Sequence, residues 1–132
     1  GLYPNDAWQA ALCDEAMDAV EEIATRVWST MPLTAAEKKA QRESLAAGPL
    51  SDSLDRLQRR LVTQGGRYFA DGRLTVADLK VFVWIRHLRS GQLDHVPVDL
   101  PDRVAPQLIE HHERVMGHPA IDAYYAGRKV AT

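Results

Sequence analysis

The first part of the chain carries a helical hydrophobic pattern that constrains the fold more than any other sequence feature. Asn5 or Asp6, directly after Pro4, can cap a helix, and Pro32 predicts its end. The pattern predicts a helix of about 26 residues, or about 39 Å at 1.5 Å per residue. Apolar residues recur between these signals at steps of three and four, and so share one face: Trp8, Leu12, Ala16, Val20, Ile23, Val27 and Met31.

Helix signals continue through the rest of the sequence. Thr34 and Glu37 have the spacing of a capping box, which predicts a second helix to about Ala47. Its low apolar content favours a mobile, exposed helix or a partly ordered linker. Further helices are predicted from Ser51 to the Gly65-Gly66 pair, from about Val104 to Met116, and from Pro119 to about Gly127.

The best-defined helix start lies at Thr75. This residue is the predicted N-cap, and Asp78 can return a hydrogen bond to the N–H of the cap. Leu74 and Leu79 are spaced to form a hydrophobic staple across the same start. The helix that follows is apolar nearly all round, so it is predicted to be central and buried. We interpret these four residues as structural.

No stretch of four or more residues alternates cleanly between apolar and polar, so the sequence indicates no sheet. The 132 residues suffice for one domain and are too few for two ordinary ones. The sequence therefore predicts a single all-α domain over residues 1–132, a bundle of about five to six helices.

Composition excludes several classes of protein. The 16 basic and 18 acidic residues give a net charge of −2, which argues against nucleic-acid binding. The single cysteine, Cys13, excludes a disulfide framework and a cysteine-rich zinc site. No apolar run approaches the ~20 residues of a membrane span, and no signal peptide is visible. These features predict a cytoplasmic protein without membrane or nucleic-acid partners.

The acidic residues of the first helix are candidates for binding a cation. Asp14, Asp18, Glu21 and Glu22 lie along one side, and only Arg26 is placed at i+4 from Glu22 to offset them. One interpretation is a solvated acidic face. The other is a contact for an ammonium group, a divalent metal or a basic surface.

The sequence contains no catalytic constellation of its own. Of the five histidines, His111 and His112 are adjacent and point about 100° apart on a helix, so they cannot share a metal. HExxH, CxxC, GxSxG, GxGxxG and P-loop motifs are absent, and no metal site is predicted. Cys13, beside Leu12, is predicted to be a small buried side chain.

The order of landmarks resembles the C-terminal helical domain of cytosolic glutathione transferases, most similar to the sigma, alpha and pi group. The resemblance covers nearly the whole chain, and the Thr75–Asp78 capping pattern is its most specific mark. The other landmarks are Gly1-Leu2-Tyr3-Pro4 before a long acidic helix, Val96-Pro97, and Pro119-Ala120-Ile121 with Tyr125.

The resemblance implies a larger parent enzyme that conjugates glutathione to hydrophobic electrophiles in detoxification. Glutathione is a co-substrate there, and no cofactor is implied. An N-terminal thioredoxin-like domain would bind glutathione and stabilise its thiolate, and that domain is absent from these residues. The missing initiator Met fits the expectation that such a domain precedes Gly1. The helical domain supplies the electrophile pocket and much of a homodimer interface, so this piece alone is expected to be inactive.

The resemblance also implies roles for particular residues. Glu22 occupies the position from which an acidic side chain, usually Asp, reaches the γ-glutamyl ammonium of the partner's glutathione. The resemblance implies as well that the second half of the first helix lines an electrophile pocket, with Ala24, Thr25, Trp28 and Ser29 as the lining residues. Trp28 also suits ordinary core packing.

A second class of function remains open. Helical domains of this kind also serve as non-catalytic assembly modules in translation factors and aminoacyl-tRNA synthetase complexes. The acidic side of the first helix would suit a protein-binding face equally well.

Overall fold

The computed structural model describes the backbone of residues 1–131 and the side chains of residues 1–128. All regular secondary structure within these residues is helical, which confirms the all-α prediction. Six helices are accompanied by one short helix of five residues. In chain order they are α1 (Ala7–Trp28), α2 (Ala35–Ala47), α3 (Pro49–Thr63), α4 (Val76–Leu88), α5 (Leu100–Val104), α6 (Pro106–Met116) and α7 (Pro119–Ala131).

Helix α4 lies at the centre of the bundle, between α1 on one side and α6 on the other. Helix α3 packs against α1, α2, α5 and α6, and α7 packs on α6. Leu54, Leu57 and Leu61 of α3 are fully buried, as their shared helical face predicts. The core therefore runs continuously from α1 through α4 to α6.

Helix α1 is shorter than predicted. It spans 22 residues and ends at Trp28, because Thr30 N–H and Met31 N–H bond three residues back in tighter turns. The Thr30 hydroxyl also donates to the carbonyl of Val27 at 2.6 Å. Met31 consequently lies beyond the helix and is 54% exposed. Trp8, at the other end of the predicted stripe, lies within α1 and is 68% exposed, so neither end of the stripe is in the core.

Helix α2 is a regular helix, so the expectation of a partly ordered linker is wrong, whereas most of its residues are exposed as predicted. Arg42 is only 3% exposed, although it is charged. Its Nε donates to Thr30 Oγ1 at 2.9 Å, and its Nη1 donates to the carbonyl of Asp94 at 3.3 Å. Arg42 thus forms part of the buried face of α2. The low apolar content of the helix does not indicate this face, because one of its buried residues is charged.

Two prolines explain the remaining differences in helix boundaries. Helix α3 begins at Pro49, before the predicted Ser51, since proline suits the first helical position. The predicted helix from Val104 is divided at Ala105, whose φ of −138° and ψ of 66° are not helical. Pro106 disfavours helical geometry in the residue before it, so the chain forms α5 and then α6.

Helix α4 is central, but it is not buried all round. Val83 is 55% exposed, and Val76 and Leu79 are half-buried. The uncovered apolar side of α4 faces a groove beside α1. Within the part of the chain that the structure describes, no helix combines the length and hydrophobicity needed to span a bilayer.

Candidate functional site

An apolar groove of about 490 Å³ lies between α1 and α4, and we call it the α1–α4 groove. Ala24 and Trp28 contribute the α1 wall with Val20, at one-turn spacing. The Lys80 ammonium and the Glu21 carboxylate lie 2.7 Å apart and add a charged pair to its lining. The α4 wall consists of Val76, Leu79, Val83, Trp84 and His87.

Three aromatic rings cluster at one end of the α1–α4 groove. The rings of Trp28 and Trp84 meet edge to face at 6.3 Å, and His87 lies 5.1 Å from Trp28. Trp84 Nε1 and His87 Nε2 are buried and have no hydrogen-bond partner among the described residues. The groove therefore combines apolar walls and an aromatic end with one charged pair in its lining, the composition expected of a small-molecule site.

The four residues expected in an electrophile pocket separate into two pairs. Ala24 and Trp28 line the α1–α4 groove, with Ala24 buried and Trp28 44% exposed. Thr25 and Ser29 do not line it. Their hydroxyls donate to backbone carbonyls of the same helix, Thr25 to Glu21 at 2.8 Å and Ser29 to Arg26 at 2.7 Å.

The acidic side of α1 is exposed, and its members have different partners. Asp14 accepts a hydrogen bond from the Tyr3 hydroxyl at 2.9 Å, and this bond raises the pKa of Tyr3. Glu21 pairs with Lys80, as described above. Asp18 and Glu22 have no hydrogen bond or ion pair from their side chains within residues 1–128.

Glu22 lies beside a second, smaller cavity of about 170 Å³ between α1 and α3. Arg26, Arg56 and Arg60 line the same cavity, so the carboxylate lies in cationic surroundings. Arg60 is already paired with Glu15. The i+4 pair between Glu22 and Arg26 that the sequence allowed does not form in the structure.

The start of α4 is built around one carboxylate. Asp78 Oδ2 accepts from the N–H of Thr75 at 2.8 Å and from its hydroxyl at 3.1 Å, within a capping box. Both residues are fully buried. Leu74 and Leu79 are half-buried on either side of this start. The contact between them that defines a staple remains a prediction.

Cys13 and the histidines occupy structural positions or lie apart from one another. The thiol of Cys13 is fully buried and lies 3.8 Å from the hydroxyl of Thr75. The described residues contain no group of three or more histidine, cysteine or carboxylate side chains that could hold a metal ion. The groove is consequently the candidate site that the geometry supports best.

The sequence pattern missed the α4 wall of the groove. The apolar pattern predicts that this helix is buried on all sides, which places Val83 and Trp84 in the core and not beside a groove. The i, i+3 spacing of Trp84 and His87 does place these two side chains on one face. It does not reveal that this face also meets Trp28.

Comparison with known proteins agrees with this architecture. No curated protein matches the sequence. A family model described as "Glutathione S-transferase, C-terminal domain" matches residues 18–128. This stretch includes the second half of α1, the whole of α2 to α6 and most of α7. The chain belongs to the family of glutathione S-transferase C-terminal domains.

Proposed function

We propose that this domain belongs to an enzyme that conjugates glutathione to hydrophobic electrophiles, and that the α1–α4 groove binds the electrophile. The observation that carries the proposal is the apolar lining of this groove, in which Trp28 and Trp84 form an aromatic end. The volume of about 490 Å³ lies in the range of about 300–1,000 Å³ that is usual for small-molecule pockets.

The reaction needs a glutathione thiolate, since the thiolate and not the thiol is the nucleophile. Among the described residues that line the groove, the Lys80 ammonium is already paired with the Glu21 carboxylate at 2.7 Å, so the lining offers no unpaired Lys or Arg to stabilise a thiolate. We therefore propose that a thioredoxin-like domain of the intact protein binds and activates glutathione. The helical domain holds the second substrate away from water, next to the incoming sulfur.

Glu22 is our candidate for a contact with glutathione bound by the partner in a homodimer. Its exposed carboxylate is unpaired within residues 1–128, which supports a role toward a cation from outside the domain. The γ-glutamyl ammonium of glutathione is such a cation. This assignment follows the sigma, alpha and pi pattern, with Glu in place of the usual Asp. We also propose that the enzyme is cytoplasmic.

A substitution that fills the groove tests the proposal. In the intact protein, Ala24→Trp should raise KM for an apolar electrophile of the chlorodinitrobenzene type and leave KM for glutathione unchanged. Ala36→Trp, on the exposed side of α2, is the matched control. An unchanged electrophile KM in Ala24→Trp would exclude the groove. The 132-residue chain alone should show no turnover above buffer.

A non-catalytic assembly module is the second candidate. Trp8 favours it, because a tryptophan that is 68% exposed is common at protein–protein contacts. A basic partner surface would complement the acidic side of α1, the helix that also carries Trp8. The segment that precedes Gly1 in the intact protein discriminates between the two. A thioredoxin-like sequence with an early Tyr or Ser favours the enzyme, and any other neighbour favours the module.

A further inference from the structure

Another pocket, of about 620 Å³ and separate from the cavity beside Glu22, lies where the carboxyl end of α4 meets α6 and α7. We call it the α4–α7 pocket. Arg86 and Arg89 come from the last turn and C-cap of α4, His112 from α6 and Tyr125 from α7. Val83 adds an apolar side chain. The pocket is thus more polar than the apolar α1–α4 groove, although both cavities are lined by Val83 and His87 of α4.

The two arginines of this pocket differ in how their charges are balanced. Arg89 is held by Asp102, with nitrogen–oxygen distances of 3.1 and 3.2 Å, and has Glu113 at 3.9 Å. Arg86 has no carboxylate partner among the described side chains. Its guanidinium lies over the Tyr125 ring, 4.1 Å from the centroid, so it is positioned by a cation–π contact. Arg86 therefore presents an uncompensated and oriented positive charge.

His112 provides the second indication of a ligand. The residue is only 7% exposed and stacks on Phe82 at 4.6 Å, yet neither ring nitrogen has a hydrogen-bond partner within residues 1–128. The carboxylate of Glu113 is 3.7 Å from Nδ1, beyond hydrogen-bonding distance. Burial, and then the charges of Arg89 and Arg86, lower the pKa of His112. His112 lines the pocket, and its neutral ring has a buried N–H donor without an acceptor among the described residues.

We propose that the α4–α7 pocket binds a small organic oxyanion, a phosphate or carboxylate compound, with its charged group between Arg86 and His112. An oxyanion would compensate the charge of Arg86 and accept the free N–H of His112. The volume exceeds that of a single phosphate group, and Val83 and Tyr125 can contact an apolar remainder. This binding does not depend on the glutathione transferase reaction.

The test is a titration of the 132-residue chain with inorganic phosphate, phenyl phosphate and benzoate at pH 7.5 and constant ionic strength. The ring resonances of His112 report the binding by NMR. We expect a saturable shift of these resonances and an affinity at least tenfold higher for phenyl phosphate than for inorganic phosphate. Saturable binding of either aromatic anion supports the site, and the tighter one identifies the oxyanion.

Two variants keep the proposal falsifiable. Arg86→Gln should weaken the aromatic anion at least tenfold, and His112→Phe should weaken it while retaining the stacking on Phe82. The matched control is Arg67→Gln, since Arg67 also stacks on a tyrosine, Tyr68, but does not line the pocket. The proposal is overturned by a missing His112 shift, by equal affinity in Arg86→Gln, or if neither phenyl phosphate nor benzoate binds more tightly than inorganic phosphate.

Discussion

Asp78 Oδ1 lies 2.8 Å from Nε2 of His111, and both side chains are completely buried. The same oxygen accepts the backbone N–H of Phe69 at 3.1 Å. The other oxygen, Oδ2, caps α4 through Thr75. One carboxylate therefore joins three parts of the chain that no local signal connects. They are the start of α4, helix α6, and the loop before α4 that contains Phe69.

Replacing this carboxylate should be the most destabilising change at the start of α4. Asp78→Ala leaves His111 and the Phe69 N–H without a buried partner, and we expect a loss of about 3–5 kcal/mol in the free energy of unfolding. Thr75→Ala removes a capping residue only and should cost about 0.5–2 kcal/mol. Urea denaturation measures both values. Equal losses would show that the contact with His111 contributes nothing.

Most of the fold could be predicted because its signals are local. Caps, prolines and apolar spacing act within a few residues, so they identified α1, α2, α4 and α7 close to their observed starts. The errors arose where a tertiary contact overrode composition. Arg42 makes α2 part of the buried structure, and nothing within α2 itself reveals that Thr30 and the Asp94 carbonyl will receive its guanidinium.

The candidate site was predicted only on its α1 wall. Ala24 and Trp28 were selected from the resemblance, and both line the α1–α4 groove. Val83 and Trp84 were missed because an apolar side chain on a central helix ordinarily packs in the core. Whether such a side chain lines a groove depends on whether the neighbouring helices cover its face of the central helix. In this fold, α6 covers the opposite side of α4 and leaves Val83 exposed.

Arg42 should hold α2 in place. Arg42→Ala removes hydrogen bonds from a buried guanidinium, and we expect a loss of about 1.5–3 kcal/mol with faster amide exchange confined largely to α2. Arg59→Ala is the matched control, since its exposed pair with Asp55 should contribute about 0–1 kcal/mol. Hydrogen exchange followed by mass spectrometry compares the two. Unchanged exchange in α2 would contradict the anchoring role.

Glu22 should act on glutathione and leave the electrophile unaffected. In the intact protein, Glu22→Gln should raise KM for glutathione about tenfold, equivalent to about 1.4 kcal/mol, with KM for the electrophile unchanged. Glu22→Asp keeps the charge and should retain most of the affinity. Asp18→Asn, one turn earlier on the same side, is the control. Equal effects of Asp18→Asn and Glu22→Gln on the KM for glutathione would indicate a general electrostatic effect of the acidic side and contradict a specific contact by Glu22.

His112 should make the stability of the domain depend on pH below neutrality. Burial lowers its pKa in the folded state below the usual histidine value of 6.5, so the unfolded chain binds this proton more readily. The free energy of unfolding should therefore fall as the pH drops through 6.5 toward the folded pKa, and the effect should be absent above about pH 7.5.

His112→Phe should flatten this part of the profile. His95→Asn, at an exposed histidine with a φ of 69° that asparagine tolerates, should retain the wild-type slope. Denaturation series at pH 8, 7, 6 and 5 would reveal parallel profiles for wild type and His112→Phe if the buried imidazole did not cause the decline.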